Sequence, residues 1–188
     1  MDIGTGDGRY VYRSAGSDPD RFYIGIDVAR GALEKISEKI HRKPAKGGLS
    51  NVLFVHASVE ALAAELDGTV DEMHIHFRWG SLLRSVVLGD GQALSALRRI
   101  SAPGAWLEVL IGLDEARDVA ELRRLGLPSL TEAHVASTMV LCYSRAGFEA
   151  VESGIIPRSE WPHLETTWAR RLRGNEARRM LFLVAKAP

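Results

Sequence analysis

The first eight residues combine an acid with three glycines at alternate positions, Asp2-Ile-Gly4-Thr-Gly6-Asp-Gly8. A further carboxylate, Asp27, stands 19 residues past the last of these glycines, at the end of an apolar run. Glycines let a backbone turn tightly and come close to a ligand, and a carboxylate at that distance can accept both hydroxyls of a ribose. The pairing predicts a nucleotide-type cofactor held by the start of the chain. After a third apolar run come His56-Ala-Ser-Val59-Glu60, small residues and then an acid, suited to the rim of such a site. Glu60 serves equally well as an acid favoured near a helix N-terminus.

The glycine spacing separates two cofactor classes. Dinucleotide-binding loops use G-x-G-x-x-G, with the third glycine one residue later than here, and an acid ahead of the loop serves a diphosphate poorly. A cofactor carrying an ammonium and a sulfonium is served well. The D-x-G-x-G-x-G pattern therefore resembles the class I S-adenosylmethionine (SAM) methyltransferases, in which ligands sit at the carboxyl ends of the strands.

Two tryptophans stand where a flat substrate could be held. Trp79 lies in His76-Phe-Arg-Trp-Gly-Ser-Leu-Leu83, directly after the fourth predicted strand, and the Asn/Asp-Pro-Pro-aromatic motif common among enzymes that methylate exocyclic amines is absent there. An exposed indole at that point offers a stacking surface for a base, and a core tryptophan is the plainer alternative. Trp168 is spaced with Leu164 and Leu172 as on one face of a helix, which again permits burial. Its neighbours Thr166, Thr167, Arg170 and Arg171 give it the aromatic-plus-basic company of a nucleic-acid site. His74 and His76 share a strand without metal-ligand partners in sequence, and no metal site is expected.

Strands and helices alternate along the chain. Strands are predicted at Phe22–Asp27, Val52–His56, Glu72–Phe77, Trp106–Ile111, Phe148–Ile156 and Met180–Lys186. Helices are predicted at Ala29–Lys43, Val59–Leu66, Gln92–Ile100, Asp114–Leu125 and Thr131–Ala146, the first with a Leu33, Ile36, Ile40 stripe. That order implies an α/β, Rossmann-like fold with a mostly parallel seven-stranded sheet, an antiparallel last strand and helices on both faces. One domain over residues 1–188 is expected, with an RNA-binding insertion at about 157–178. The glycine turn normally follows a complete strand, so the first strand reads as truncated, and residues upstream of Met1 are expected.

Composition agrees with a soluble globular domain: 188 residues, 46% hydrophobic, 26% charged. No apolar run is long enough to span a membrane, no leader precedes the fold, and the single Cys142 excludes an intrachain disulfide, so a cytoplasmic monomer is expected. Net charge is zero, yet basic residues are segregated. Arg170, Arg171, Arg173, Arg178, Arg179 and Lys186 face one acid, Glu176, near the end, and a second basic run covers His41–Lys46. Local positive potential of this kind permits an RNA face, and solvated helix ends explain it equally well.

The blocks Asp-Ile-Gly-Thr-Gly-Asp-Gly-Arg, Tyr-Ile-Gly-Ile-Asp, Lys-Pro-Ala-Lys-Gly-Gly-Leu-Ser-Asn-Val, Phe-x-Trp-Gly-Ser-Leu-Leu and Thr-Trp-Ala-Arg-Arg-Leu occur in this order from Asp2 onward. Together they resemble the aminoglycoside-resistance 16S rRNA (adenine-N1)-methyltransferases of the kanamycin–apramycin type. The resemblance implies a SAM-dependent enzyme that methylates N1 of the decoding-site adenine, position 1408, of 16S rRNA in the 30S subunit. It implies SAM contacts from Asp2, Gly4, Gly6, Asp27, Val59, Glu60 and Ser81, with Thr166 near both cofactor and base. Trp79 and Trp168 would sandwich a flipped adenine, and Arg42, Lys43, Lys46, Arg170 and Arg171 would lie on rRNA phosphates. Arg78 stands where such enzymes usually carry proline. Competing readings are a tRNA guanine-N7 methyltransferase and a SAM- or RNA-binding protein without turnover; a NAD-dependent oxidoreductase ranks last.

Overall fold

Seven apolar or alternating runs become one sheet. The computed structural model describes residues 1–77, 79–161 and 178–188. Its strands are β1 (Asp2–Ile3), β2 (Tyr23–Asp27), β3 (Val52–His56), β4 (Val70–His76), β5 (Ser101–Leu113), β6 (Glu149–Pro157) and β7 (Arg179–Lys186), in the order β3-β2-β1-β4-β5-β7-β6. β3, β2, β1, β4 and β5 are parallel neighbours, while β7 runs antiparallel to both β5 and β6. This is the mixed sheet expected from the alternation of elements. No described helix is long and apolar enough to cross a membrane.

Helices cover the sheet because each carries one apolar stripe. α1 is Arg9–Ser17, α2 Arg30–Ile40, α3 Ser81–Leu88, α4 Gly91–Ile100 and α5 Glu115–Arg124. The predicted stripe of α2 is buried at Leu33, Ile36 and Ile40, and α4 buries Ala93, Leu94, Ala96, Leu97 and Ile100. Asp90 caps α4 by accepting from the backbone N–H groups of Gln92 and Ala93. Strand residues Ile3, Ile26, Met73, Ile75, Leu107 and Val109 form the middle of the main core.

Several elements differ from expectation, and α1 and α3 are helices that the sequence reading does not predict. Instead of a helix over Val59–Leu66, the chain makes two 3₁₀ turns, Val59–Ala61 and Ala64–Leu66. The Leu62 carbonyl, which a continuous helix would use internally, accepts a hydrogen bond from the Arg99 guanidinium at 2.8 Å. β5 begins at Ser101 and carries Pro103-Gly104 inside it, because the register with β4 jumps between Val70↔Ser101 and Glu72↔Trp106. Extra residues at such an irregularity tolerate proline. The predicted helix near Thr131 does form over residues 132–145, with π geometry at Val135–Met139.

β1 pairs through Asp2 and Ile3 with Gly25 and Ile26 of β2, and through Asp2 with His74 of β4. On the amino-terminal side of that short strand lies a cavity of about 760 Å³, lined by Met1, Tyr10, Arg21, Glu72, His74 and Trp106 among others.

Candidate cofactor and substrate site

The acid-led glycines form a tight turn at the carboxyl end of β1. Gly4, Gly6 and Gly8 have φ of 77°, 63° and 67°, the left-handed region that side chains disfavour. At Gly8 a Cβ would also meet Phe54 at 2.6 Å and Ile36 at 2.8 Å. The amides of Gly4 and Thr5 both donate to the Ile26 carbonyl, at 2.7 and 2.8 Å, fastening the turn to β2.

Asp27 completes this lock. One carboxylate oxygen accepts from the Gly6 amide at 2.7 Å and the other from the Ala29 amide at 2.8 Å, in a residue only 3% exposed. The Asp27 carbonyl in turn accepts from the Ala57 amide at 3.2 Å, joining the ends of β2 and β3. Asp27 therefore holds the glycine turn in shape, a role its sequence position did not reveal. Each oxygen has more than one lone pair, so the carboxylate retains acceptor capacity for a ligand hydroxyl.

The other cofactor candidates lie on β1 and on the segments that follow β3 and β4. Val59 is buried and Glu60 exposed in the turn after β3. Next to Asp27, Val28 exposes 62% of its surface, an apolar ledge at the turn. Asp2 is buried in β1 and shares its register position with His74. Ser81 is exposed at the first position of α3, behind Gly80 at φ 76°. The Thr5 hydroxyl oxygen is buried in the turn without a hydrogen-bond partner among the described residues. A close-approaching glycine backbone, a carboxylate acceptor, an exposed apolar side chain and a buried hydroxyl without a partner among the described residues are compatible with the ribose and base of SAM.

The carboxyl end of β4 is built differently. The Phe77 amide still donates to Leu110 at 2.7 Å, continuing the ladder with β5, but Phe77 itself takes φ 52°. A non-glycine residue in that region costs about 1–2 kcal/mol and persists where the surroundings over-determine it. Here the Phe77 side chain is buried with Leu110 and Met180 and stacks on Trp161, ring centroids 5.4 Å apart. This anchored reversal delivers Trp79, which is half-buried and rests against the main core. Its placement matches neither a sealed core residue nor a free surface one: the indole is packed against the core yet partly exposed.

Trp161 gives no signal in the sequence because it sits alone in a polar stretch after β6. Only the β6–β7 pairing, with Ile156 opposite Met180, brings it to Phe77. Nearby, Arg178 donates to Asp118 at 2.9 Å, a nearly buried pair that ties the start of β7 to α5. Arg78, Thr166, Trp168, Arg170 and Arg171 lie outside the described residues.

Arg42, Lys43 and Lys46 are all exposed on the loop that follows α2, where Pro44–Lys46 makes a 3₁₀ turn. Tyr12 of α1 donates to the Gly47 carbonyl at 2.7 Å, and the Lys39 ammonium lies 3.9 Å from the centre of the Tyr12 ring. Gly48 is required by space: a Cβ there would fall 1.7 Å from the Arg42 carbonyl oxygen. The basic loop is thus a fixed feature seated on α1.

A second group of polar side chains lies on the face of β4 and β5 next to Asp2. His76 Nε2 is 2.5 Å from Glu108 Oε1, His74 Nδ1 is 3.3 Å from the same oxygen, and His74 Nε2 is 3.0 Å from Glu72. The hydrogen bonds from His74 and His76 hold the Glu108 carboxyl well below the usual carboxylate range. Tyr10 packs its ring edge against His74, and burial, with Asp2 and Glu108 adding to it, pushes its phenol up to about 12. Tyr10 is therefore no base near neutral pH. Glu108 supplies the carboxylate partner that the two histidines lack in sequence.

Comparison with known proteins agrees with this geometry. The family model described as "NpmA: 16S rRNA (adenine(1408)-N(1))-methyltransferase" matches residues 1–187. An Escherichia coli 16S rRNA (adenine(1408)-N(1))-methyltransferase is 37% identical over 173 residues, covering 92% of this chain and 79% of that protein. The crystal structure of the aminoglycoside resistance methyltransferase NpmB1 superposes with a TM-score of 0.85 at 43% identity, covering 100% of this chain and 85% of that one. A tryptophan-to-alanine mutant of the corresponding enzyme from Catenulisporales acidiphilia, solved with its cosubstrate SAM, gives a TM-score of 0.84 at 35% identity, covering 99% and 84%. The nearly full-length match favours rRNA over tRNA guanine-N7 as the nucleic-acid class. The chain belongs to the NpmA family of 16S rRNA (adenine(1408)-N(1))-methyltransferases.

Proposed function

We propose that this protein transfers the methyl group of SAM to N1 of adenine 1408 in 16S rRNA, acting on the assembled 30S subunit and conferring aminoglycoside resistance. The supporting observation is the placement of Trp79: a half-open indole at the carboxyl end of β4, beyond the strained Phe77, on the strand edge that also carries the glycine turn of β1. The enzyme works as a monomer in the cytoplasm, where its substrate is assembled.

SAM supplies an electrophilic methyl carbon on a sulfonium. Adenine N1 is unprotonated near neutral pH and has an in-plane lone pair, so the N1–C bond forms as the C–S bond breaks, with no proton to remove. The protein's task reduces to extruding the base, holding N1 in line and keeping water out. Trp79 provides one face of the clamp, and Trp168 provides the other. Asp2, Gly4, Gly6, Asp27, Val59, Glu60, Ser81 and Thr166 hold the cofactor.

Arg42, Lys43 and Lys46, with Arg170 and Arg171, bind rRNA phosphates. Replacing Arg42 and Lys43 together by alanine should weaken 30S binding without changing SAM affinity. The slope of log affinity against log salt should fall by about 0.7–0.9 for each phosphate that the loop no longer neutralises. Filter binding over a salt series measures this, and an unchanged slope would remove the loop from the interface.

Bacteria expressing the protein should become resistant to kanamycin and apramycin, while cells expressing Asp27→Ala should not. Susceptibility equal to the empty-vector control, with soluble protein present, would count against the reading.

A further inference from the structure

Alternation along β4 puts His74 and His76 on one face of the sheet, and the parallel register sets Glu108 of β5 opposite His74. Three ligand atoms converge there: His74 Nδ1, His76 Nε2 and Glu108 Oε1, all within 4.8 Å of one another. We propose that these three side chains form a binding site for a borderline divalent cation, with Zn²⁺ the best match, that ties β4 to β5 just ahead of Trp79.

The spacing is close to what such an ion needs. Bonds of about 2.0–2.1 Å in a tetrahedron require ligand atoms about 3.3 Å apart. His74 Nδ1 already lies 3.3 Å from His76 Nε2 and 3.3 Å from Glu108 Oε1. The remaining edge, His76 to Glu108, is 2.5 Å, a hydrogen bond that opens when both atoms turn to a metal. Two imidazole nitrogens and one carboxylate oxygen favour Zn²⁺ over Mg²⁺ or Ca²⁺, which prefer all-oxygen sites.

An independent observation concerns the outer nitrogen of His74. Its Nε2 lies 3.0 Å from Glu72 Oε1, the carboxylate–histidine pairing that supports metal-bound imidazoles. With a proton on Nε2, the Nδ1 lone pair faces His76 Nε2 and Glu108 Oε1, the space a bound cation would occupy. Glu108 contributes a carboxylate oxygen beside the two imidazole nitrogens. His74 lines the cavity beside β1, and Glu108 is about one-third exposed, so water can complete the coordination.

The test uses the full-length, tag-free protein, stripped with chelator and loaded with ZnCl₂ or CoCl₂. After desalting, one zinc per chain should remain, the cobalt form should show the visible absorption of a four-coordinate nitrogen–oxygen site, and the zinc form should melt at higher temperature than the stripped one. Glu108→Gln and His74→Ala should each lower zinc affinity at least tenfold, whereas His41→Ala, at an exposed histidine after α2, should retain it. Zinc that washes off the wild type, or that Glu108→Gln and His74→Ala retain equally well, would overturn the site in favour of a hydrogen-bonded cluster without metal. Should either variant fail to fold, the wild-type cobalt spectrum decides: no four-coordinate absorption means no site.

Discussion

Trp79→Ala is expected to reduce methyl transfer to 30S subunits by at least about 100-fold while leaving SAM affinity within about threefold. Base–aromatic stacking contributes about 1–3 kcal/mol, which alone is roughly 5- to 150-fold. Misplacing N1 relative to the methyl carbon adds to this, since small displacements of a reacting atom cost about 100-fold. Loss of stability should be moderate. A fully buried tryptophan cut to alanine costs about 3–5 kcal/mol, and Trp79 is only half-buried against the core. A melting curve that remains cooperative, together with calorimetric SAM binding, separates the two roles. Trp79→Phe should recover part of the rate by restoring an aromatic face. Unfolding of Trp79→Ala, or loss of SAM binding with it, would make this residue a piece of the core.

Asp27→Ala should be the most damaging change at the cofactor end. It removes the acceptor for both the Gly6 and Ala29 amides, in a residue that is 3% exposed. Each amide left unpaired away from water costs about 1–3 kcal/mol, so stability should fall by roughly 2–6 kcal/mol. SAM affinity should fall by at least about 100-fold, because the same change relaxes the glycine turn and removes a ligand acceptor. Asp27→Asn is the informative companion: its amide NH₂ would have to face one of the two backbone donors, so one hydrogen bond survives. Its melting temperature and SAM affinity should lie between those of wild type and alanine. Unchanged SAM affinity in Asp27→Ala would detach this carboxylate from the cofactor and leave it a purely structural lock.

What could be read from sequence was local. The glycine turn was legible because its acid, its three glycines and the spacing to Asp27 lie in two short segments, and φ > 0 demands glycine at Gly4, Gly6 and Gly8. The α2 stripe was legible because helical periodicity is a neighbour rule. Residues stay hidden where function depends on strand register. Glu108 is 34 residues from His74 and meets it only through the β4–β5 ladder. Trp161 reaches Phe77 only through the β6–β7 pairing. The left-handed turn at Phe77 gives no sign in the sequence, because phenylalanine is a poor residue for it and the burial that enforces it comes from Leu110 and Met180. The two 3₁₀ turns after β3 escape a periodicity argument for a similar reason, since a distant Arg99 takes the carbonyl that a helix would need.

One ring nitrogen of one adenine should receive the methyl group. Purified 30S subunits should be incubated with this protein and SAM, and the extracted 16S rRNA copied by reverse transcriptase across the decoding site. We predict a new stop immediately before adenine 1408, because a methyl on N1 blocks Watson–Crick pairing, and its loss when Trp79→Ala replaces the wild type. Read-through at that adenine, with methyl groups incorporated at another base or not at all, would contradict the assignment.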